Sequence, residues 1–403
     1  MKIVIANLAS PANPGDQAIF RGTLKMLRAL YQTPEISVVT RAYSERKSYE
    51  DLGCRVIANY PDVEFIASDS LFKKLINIPR ALMKPGMLKG AIREADLVLL
   101  IGGAYFYSYR PLLPGLTYLS HFSALTWARH YIIPIIFLPQ SYGPFVSQIS
   151  QKIFDGAVRG SDFIFYRENI TGEWLRRRYP DIQGKFAFMP DLALNLKRDD
   201  LIPPFSKNFE MGCVGATIRA WKTGNQDQHS YMDVLVDTLT WLHQEYHLKV
   251  RIIVQVQDPK KGEGDEWISS LLAERMQEKI GREFVELCTA RPYFQLSEIC
   301  GLYQQCDFLI GMRLHSTLLS FLVGRPALAV GYQHKAEGIL KALGLDGLYL
   351  GSFETAQMGH LQEACSGLIR NYSMWTQKIE NALQNARGEI KRFFEEKITQ
   401  IAR

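Results

Sequence analysis

The sequence predicts an α/β protein built on two parallel sheets with crossover helices, and three observations predict it. Short apolar runs alternate with helical periods from end to end, the pattern of strands joined by helices. At 403 residues the chain exceeds what one hydrophobic core usually serves, so two domains of roughly two hundred residues each are expected. A polar, proline-bearing stretch from Leu196 to Asn208, with Pro203-Pro204, interrupts the alternation near the middle.

Taken in order, the first half places strands at Lys2–Asn7, Ile36–Thr40, Cys54–Asn59, Asp96–Gly102, Ile132–Pro139, Asp162–Arg167 and Phe186–Asp191. A fresh series begins at Met211–Arg219 and continues through Lys249–Val256, Phe284–Cys288, Phe308–Gly311, Ala327–Gly331 and Leu348–Leu350. From about Tyr372 onward the chain reads as one long charged amphipathic helix. The expected division is a Rossmann-like domain over 1–203, a second over 204–372, and a terminal helix over 373–403 that returns to the first domain. This is the GT-B architecture, whose ligands are expected beyond the carboxyl ends of the strands, in the cleft between the halves.

Hydrophobic residues make up 47% and charged residues 22%, ordinary for a soluble protein with a substantial core, which excludes fibres and linkers. The formal charge of +6, from 47 basic and 41 acidic residues, is too mild to argue for nucleic acid; it suits an anionic substrate or an anionic membrane surface. The start, Met1-Lys2-Ile3-Val4-Ile5-Ala6-Asn7, is too short for the apolar core of a signal peptide. The longest apolar stretch, Tyr131 to Pro139, cannot span a bilayer of roughly 30 Å. Cys54, Cys213, Cys288, Cys300, Cys306 and Cys365 form no CxxC pair. Free thiols and a cytoplasmic location are expected, and no metal-ligand cluster is visible.

The candidate chemistry lies at strand ends. Asn13-Pro14-Gly15-Asp16 opens a helix after the first strand, offering backbone N–H groups and a carboxylate to an anion or a sugar hydroxyl; alternatively Asp16 merely caps that helix. Gly102-Gly103-Ala104 ends the fourth strand with side-chain-free backbone, which permits close ligand approach or simply a tight turn. Pro139-Gln140-Ser141-Tyr142-Gly143-Pro144 closes the fifth with polar groups in a rigid turn, a frame for a sugar, and no segment gives a dinucleotide fingerprint.

Arg167-Glu168 and Thr217-Ile218-Arg219 end two further strands, and each arginine offers a planar fork to a carboxylate or phosphate, or else a salt bridge to a neighbour. The strongest local signal is Gly311-Met312-Arg313-Leu314-His315-Ser316, where an arginine and a histidine straddle a strand-to-helix turn. That is a compact trap for an anion, with a group that titrates near neutral pH. Gly331-Tyr332-Gln333-His334-Lys335 adds a cation at the next strand end.

Together these segments resemble the polysaccharide pyruvyl transferases over most of the chain, the Arg-Leu-His turn and the Gly-Pro turn being the specific elements. The resemblance implies a phosphoenolpyruvate-dependent transferase that makes pyruvate ketals on sugars of bacterial exopolysaccharide, capsule or wall glycans, with no cofactor. It implies donor contacts at Arg219, Arg313, Leu314 (through its backbone) and His315, with Arg167 and Lys335 as further donor or catalytic candidates. The acceptor side would comprise Asn13, Gly15, Asp16, Gly103, Gln140, Tyr142 and Glu168, with the catalytic set His315, Arg313, Lys335 and Asp16. Either Asp16 or Glu168 would take the hydroxyl proton.

The segment 71–93 carries Lys73, Lys74, Arg80, Lys84, Lys89 and Arg93 among apolar side chains and no acid. It suits an anionic membrane surface, hence a lipid-linked acceptor at the inner face of the cell membrane, or an ordinary surface helix pair broken at Pro79 and Pro85. Two other functions fit the same pattern: a GT-B glycosyltransferase using a nucleotide sugar, and a catalytically silent saccharide-binding member of the family.

Overall fold

The computed structural model of the chain describes residues 1–59, 86–202, 212–220, 225–257, 264–331, 334–352 and 357–401. Among the described residues, thirteen strands form two wholly parallel sheets. The first contains β1 (Lys2–Leu8), β2 (Glu35–Thr40), β3 (Arg55–Ala58), β4 (Leu97–Leu100), β5 (Ile135–Gln140), β6 (Phe163–Tyr166) and β7 (Phe186–Phe188), in the order β3-β2-β1-β4-β5-β6-β7. The second contains β8 (Cys213–Thr217), β9 (Lys249–Ile253), β10 (Val285–Cys288), β11 (Phe308–Gly311), β12 (Ala327–Gly331) and β13 (Tyr349–Ser352), in the order β10-β9-β8-β11-β12-β13.

The inner strands are strongly apolar, as in LVLL of β4, IIFL of β5, FIFY of β6 and FLI of β11, because a parallel sheet is covered on both faces. All residues of β4, β5 and β6 are buried. In each sheet the strand order reverses once, between β1 and β4 and between β8 and β11. Loops leaving such a pair part in opposite directions and leave a crevice at the carboxyl ends.

The longer helices are α1 (Pro14–Leu30), α2 (Gly86–Arg93), α3 (Leu116–Ser120), α4 (Ser123–Tyr131), α5 (Gln148–Arg159), α6 (Asn169–Arg178), α7 (Asn225–Tyr246), α8 (Glu266–Ile280), α9 (Leu296–Gln304), α10 (Leu314–Leu322), α11 (His334–Ala342), α12 (Met358–Arg370) and α13 (Tyr372–Phe393). In α10, Ser316 through Leu322 are all buried, small hydroxyl side chains alternating with Leu and Phe, so it is an internal helix of the second unit.

The chain forms two compact units, one of residues 1–11, 19–192 and 388–403, the other of 12–18 and 193–387. The division expected at 203 and 372 therefore differs in detail. Residues from Ala193 pack with the second sheet, where the Leu196 carbonyl accepts from Arg387 Nη2 at 3.3 Å. α13 likewise begins on the second unit, Tyr372 donating its hydroxyl to the Asp307 carbonyl at 2.9 Å. Residues beyond Arg387 return to the first unit, as the architecture requires: Phe393 packs its ring on Phe165 with centroids 6.1 Å apart, and Phe394 and Ile398 are fully buried. The six cysteines are all free thiols.

Candidate functional site

In the second unit, β8, β11 and β12 are neighbours, so the residues following them share one edge of the sheet. Arg219 follows β8, Arg313 to His315 follow β11, and Lys335 stands in the first turn of α11 after β12. The fold thus brings these five predicted positions to adjacent strand ends. Tyr332 and Gln333 lie outside the described residues.

Arg313 is the N-cap of α10 in extended conformation (φ −100°, ψ 132°). Its guanidinium makes a two-pronged ion pair with Asp265, Nε and Nη2 each donating at 2.6 Å. The aspartate side chain is fully buried and the arginine 14% exposed. The same carboxylate accepts from the Val256 backbone N–H at 3.1 Å. Asp265 thus neutralises Arg313 and locks its orientation. The chain offers no local signal for this pairing, because the partner sits beyond another strand and at the cap of α8.

Behind the turn, Thr217 donates to Ser316 Oγ at 3.0 Å and Ser316 to the Arg313 carbonyl at 2.6 Å, which stitches β8 to the start of α10. The Arg219 backbone N–H reaches Met312 Sδ at 3.3 Å. Leu314 and His315 open the helix and are half-buried.

The segment Ala12–Ala18 also belongs to the second unit. Asn13 caps α1: its Oδ1 accepts from the Gly15 N–H at 3.0 Å while its Nδ2 donates to Asp16 at 2.9 Å. Capping thus falls to Asn13, and Asp16 is a half-buried carboxylate held by it. Gly15 touches His315, for a Cβ built on it would stand 2.4 Å from both Cγ and Nδ1 of the imidazole. Glycine is required here by close approach. The first turn of α1 and that of α10 therefore meet at His315, and helix N-termini favour anions.

In the first unit, the residues after β4, β5, β6 and β7 converge on Arg167. Its Nε donates to Ser141 Oγ at 3.2 Å and its Nη1 pairs with Asp191, both charged side chains being buried (3% and 0% exposed). Gly103 lies beside this guanidinium, a Cβ built on it standing 3.6 Å from Nη1, an ordinary contact distance. Arg167, expected at the donor, has another occupation: it ties three strand ends together, and Asp191 is its unforeseen partner.

Three expected acceptor contacts face the interior. Glu168 is fully buried and caps α6, accepting the Thr171 N–H at 2.9 Å with one oxygen and the Thr171 hydroxyl with the other. Tyr142 packs among Phe106, Phe137 and Phe154 and donates its hydroxyl to the Phe165 carbonyl at 3.0 Å; burial pushes its phenol well above the usual range. Gln140 is fully buried, its amide nitrogen 3.5 Å from the Leu100 and Leu138 carbonyls.

Asn7, which the sequence offered only as a strand end, is a functional candidate. It lies at the carboxyl end of β1, where the β1–β2 register shifts, and adopts φ 72°. It is 2% exposed, and neither side-chain amide atom has a hydrogen-bond partner among the described residues. Two unpaired buried polar groups and a left-handed backbone are both costly, and such costs gather at ligand sites. His121, the C-cap of α3, is buried, stacks on Tyr105 with centroids 5.4 Å apart, and has its titration pushed well below the usual value by burial and then by Arg41.

Among the described residues no cluster of three or more His, Cys, Asp or Glu could hold a metal ion, and no helix is long and apolar enough to cross a membrane.

Comparison with known proteins adds three findings. The family model described as polysaccharide pyruvyl transferase matches residues 13–334. The amylovoran biosynthesis protein AmsJ of Erwinia amylovora is 22% identical, the alignment covering 96% of both chains. Among solved structures, UDP-GlcNAc 2-epimerase of Neisseria meningitidis superposes with a TM-score of 0.61 at 12% identity, over 99% of this chain and 100% of that one. A glycosyltransferase of Rickettsia africae gives 0.61 at 12% identity, over 99% and 98%. At these identities the structures are alike in fold alone, the GT-B type with two parallel-sheet α/β units.

Proposed function

This chain belongs to the polysaccharide pyruvyl transferase family, and we propose that it transfers the pyruvyl group of phosphoenolpyruvate to two hydroxyls of a sugar as a ketal. The setting we propose is exopolysaccharide, capsule or wall-glycan biosynthesis, by analogy with the amylovoran protein. The observation that carries this reading is the contact of Gly15 with His315, which joins two helix N-termini at one imidazole between Arg219 and Lys335 in the strand order.

Phosphoenolpyruvate carries a carboxylate and a phosphate. We assign binding of these anionic groups to Arg219, Lys335 and the two helix ends, while Arg313, paired with Asp265, and the Leu314 backbone fix the shape of the turn. In the reaction the methylene carbon gains a proton, one sugar oxygen bonds to the neighbouring carbon, the carbon–oxygen bond to phosphate breaks, and a second hydroxyl closes the ketal. Of the two hydroxyl protons, one balances the new methyl group and the other leaves with phosphate. We assign proton delivery to His315 and acceptance of the hydroxyl proton to Asp16, which Asn13 holds in place. Asn7 is assigned to a sugar hydroxyl.

A lipid-linked acceptor and an anionic membrane surface also remain proposals. Of the segment 71–93, residues 71–85 lie outside the described ones; α2 buries Leu88 and Ile92 and exposes Lys89 and Arg93, with Lys89 Nζ 5.0 Å over the Trp127 ring.

Incubation with phosphoenolpyruvate and a panel of saccharides tests the reaction. The expected result is phosphate release coupled to a saccharide whose mass has grown by one ketal-linked pyruvyl group. Turnover of a nucleotide sugar instead would reassign the chain to glycosyl transfer. Absence of turnover with either donor, together with saccharide binding, would make it a silent binding member.

A further inference from the structure

From Leu97 to Phe154 the chain carries no aspartate or glutamate. Within that stretch the first unit exposes large apolar side chains where a solvated surface would place charges. Leu112 is 77% and Leu113 66% exposed, and Tyr107, Tyr109, Val146 and Ile149 are also open to solvent. Scattered exposed leucines need no explanation, but these stand on neighbouring segments.

The frame beneath them shows the adjacency. Ser108 bridges to Phe145, the Val146 N–H donates to the Ser108 carbonyl at 2.9 Å, and the Tyr107 and Tyr109 rings lie 5.5 Å apart. Tyr118 of α3 donates to the Ser150 carbonyl at 2.7 Å and packs its ring on Phe145, which sets α3 beside the start of α5. The loop tip Pro111-Leu112-Leu113-Pro114 holds two leucines between prolines, so little chain entropy is lost when they enter an apolar medium. Arg110, exposed next to them, lies over Gly115, where a Cβ would be 3.3 Å from its Cζ.

We propose that this surface docks the first unit on an anionic lipid bilayer, Leu112 and Leu113 entering the acyl boundary, Tyr107 and Tyr109 at headgroup level, and Arg110 facing lipid phosphates. Tyrosines favour the membrane interface, basic groups are drawn to an anionic leaflet, and the lack of acids over the whole stretch removes the repulsion that such a leaflet would exert. The residues differ from those of the segment 71–93, and the inference holds whatever reaction the protein performs.

Cosedimentation of the full chain with vesicles tests it, using phosphatidylcholine alone and phosphatidylcholine mixed with phosphatidylglycerol. The wild type is expected to sediment with the mixed vesicles and weakly with the neutral ones. Leu112→Ser/Leu113→Ser should weaken binding about tenfold or more while phosphate release with a water-soluble acceptor is unchanged. In Leu112→Trp, fluorescence should shift to the blue on adding mixed vesicles, a readout independent of the serine variant. Unaltered sedimentation of the serine variant, no sedimentation of the wild type, or no shift in the tryptophan variant would overturn the proposal. So would a concentration-dependent dimer that the serine variant abolishes, since the surface would then join two copies of the chain.

Discussion

Gly15 lies directly against His315, close enough that any side chain at position 15 would displace the imidazole, with 2.4 Å between a built Cβ and both Cγ and Nδ1. Misplacing a reacting group by about 1 Å can cost on the order of a hundredfold in rate. Gly15→Ala is therefore expected to lower phosphate release by that order, and to add nothing when His315→Ala is already present. A fully active Gly15→Ala, or losses that multiply in the double variant, would separate this contact from catalysis.

Asp265 and Arg313 form a buried pair whose members cannot be removed singly without leaving a charge unpaired. Asp265→Ala should destabilise the protein by ~3–5 kcal/mol and lower activity, measured by urea unfolding and phosphate release. Arg313→Lys should be impaired too, since an ammonium cannot make the two parallel bonds seen at 2.6 Å. An unfolding midpoint unmoved by Asp265→Ala would contradict the pairing.

At Asn7, glycine keeps the φ of 72° without strain and deletes two buried groups that have no partner among the described residues. Asn7→Gly should leave stability unchanged or raised while KM for the saccharide rises about tenfold and kcat is kept. An unchanged KM would remove Asn7 from the acceptor site.

His121 is neutral in the folded state because burial, then Arg41, depresses its titration below the ordinary 6.5. The unfolded chain binds a proton there as pH falls through 6.5 and the folded one does not, so stability is full above that pH and declines below it. The decline should approach about 1.4 kcal/mol per pH unit. Between about pH 7.5 and 5.5, His121→Phe should flatten this part of the unfolding profile; an unaltered slope would mean that the group is not buried neutral.

Much of the fold was legible because parallel strands buried on both faces are apolar without interruption. Phe308–Gly311 and Ala327–Gly331 could be delimited from their flanking polar and glycine residues alone. Where apolar runs outrun the ladder the ends differ: Asp96–Gly102 continues past Leu100, and Ile132–Pro139 begins before Ile135 and stops short of Gln140, because a strand extends only as far as its pairing. The turn around His315 was visible because Arg, His and a helix start coincide in four residues. Its second layer was not: Asp265 and Asp191 meet their arginines only through tertiary folding. Glu168 and Tyr142 were misplaced because beyond a strand end the period of two no longer says which way a side chain points. Asn7 is marked by backbone conformation, which composition does not encode.

The return of residues 388–403 to the first unit sets an order of assembly. All of 193–387 must be synthesised before Phe394 and Ile398 can fill their places beside the strands carrying Phe163 and Phe165. The second unit is nearly continuous in sequence and can close first, whereas the first waits with part of its core open. Such non-local closure slows folding and prolongs exposure of apolar surface, so for this protein the later-made half is the one positioned to become native earlier.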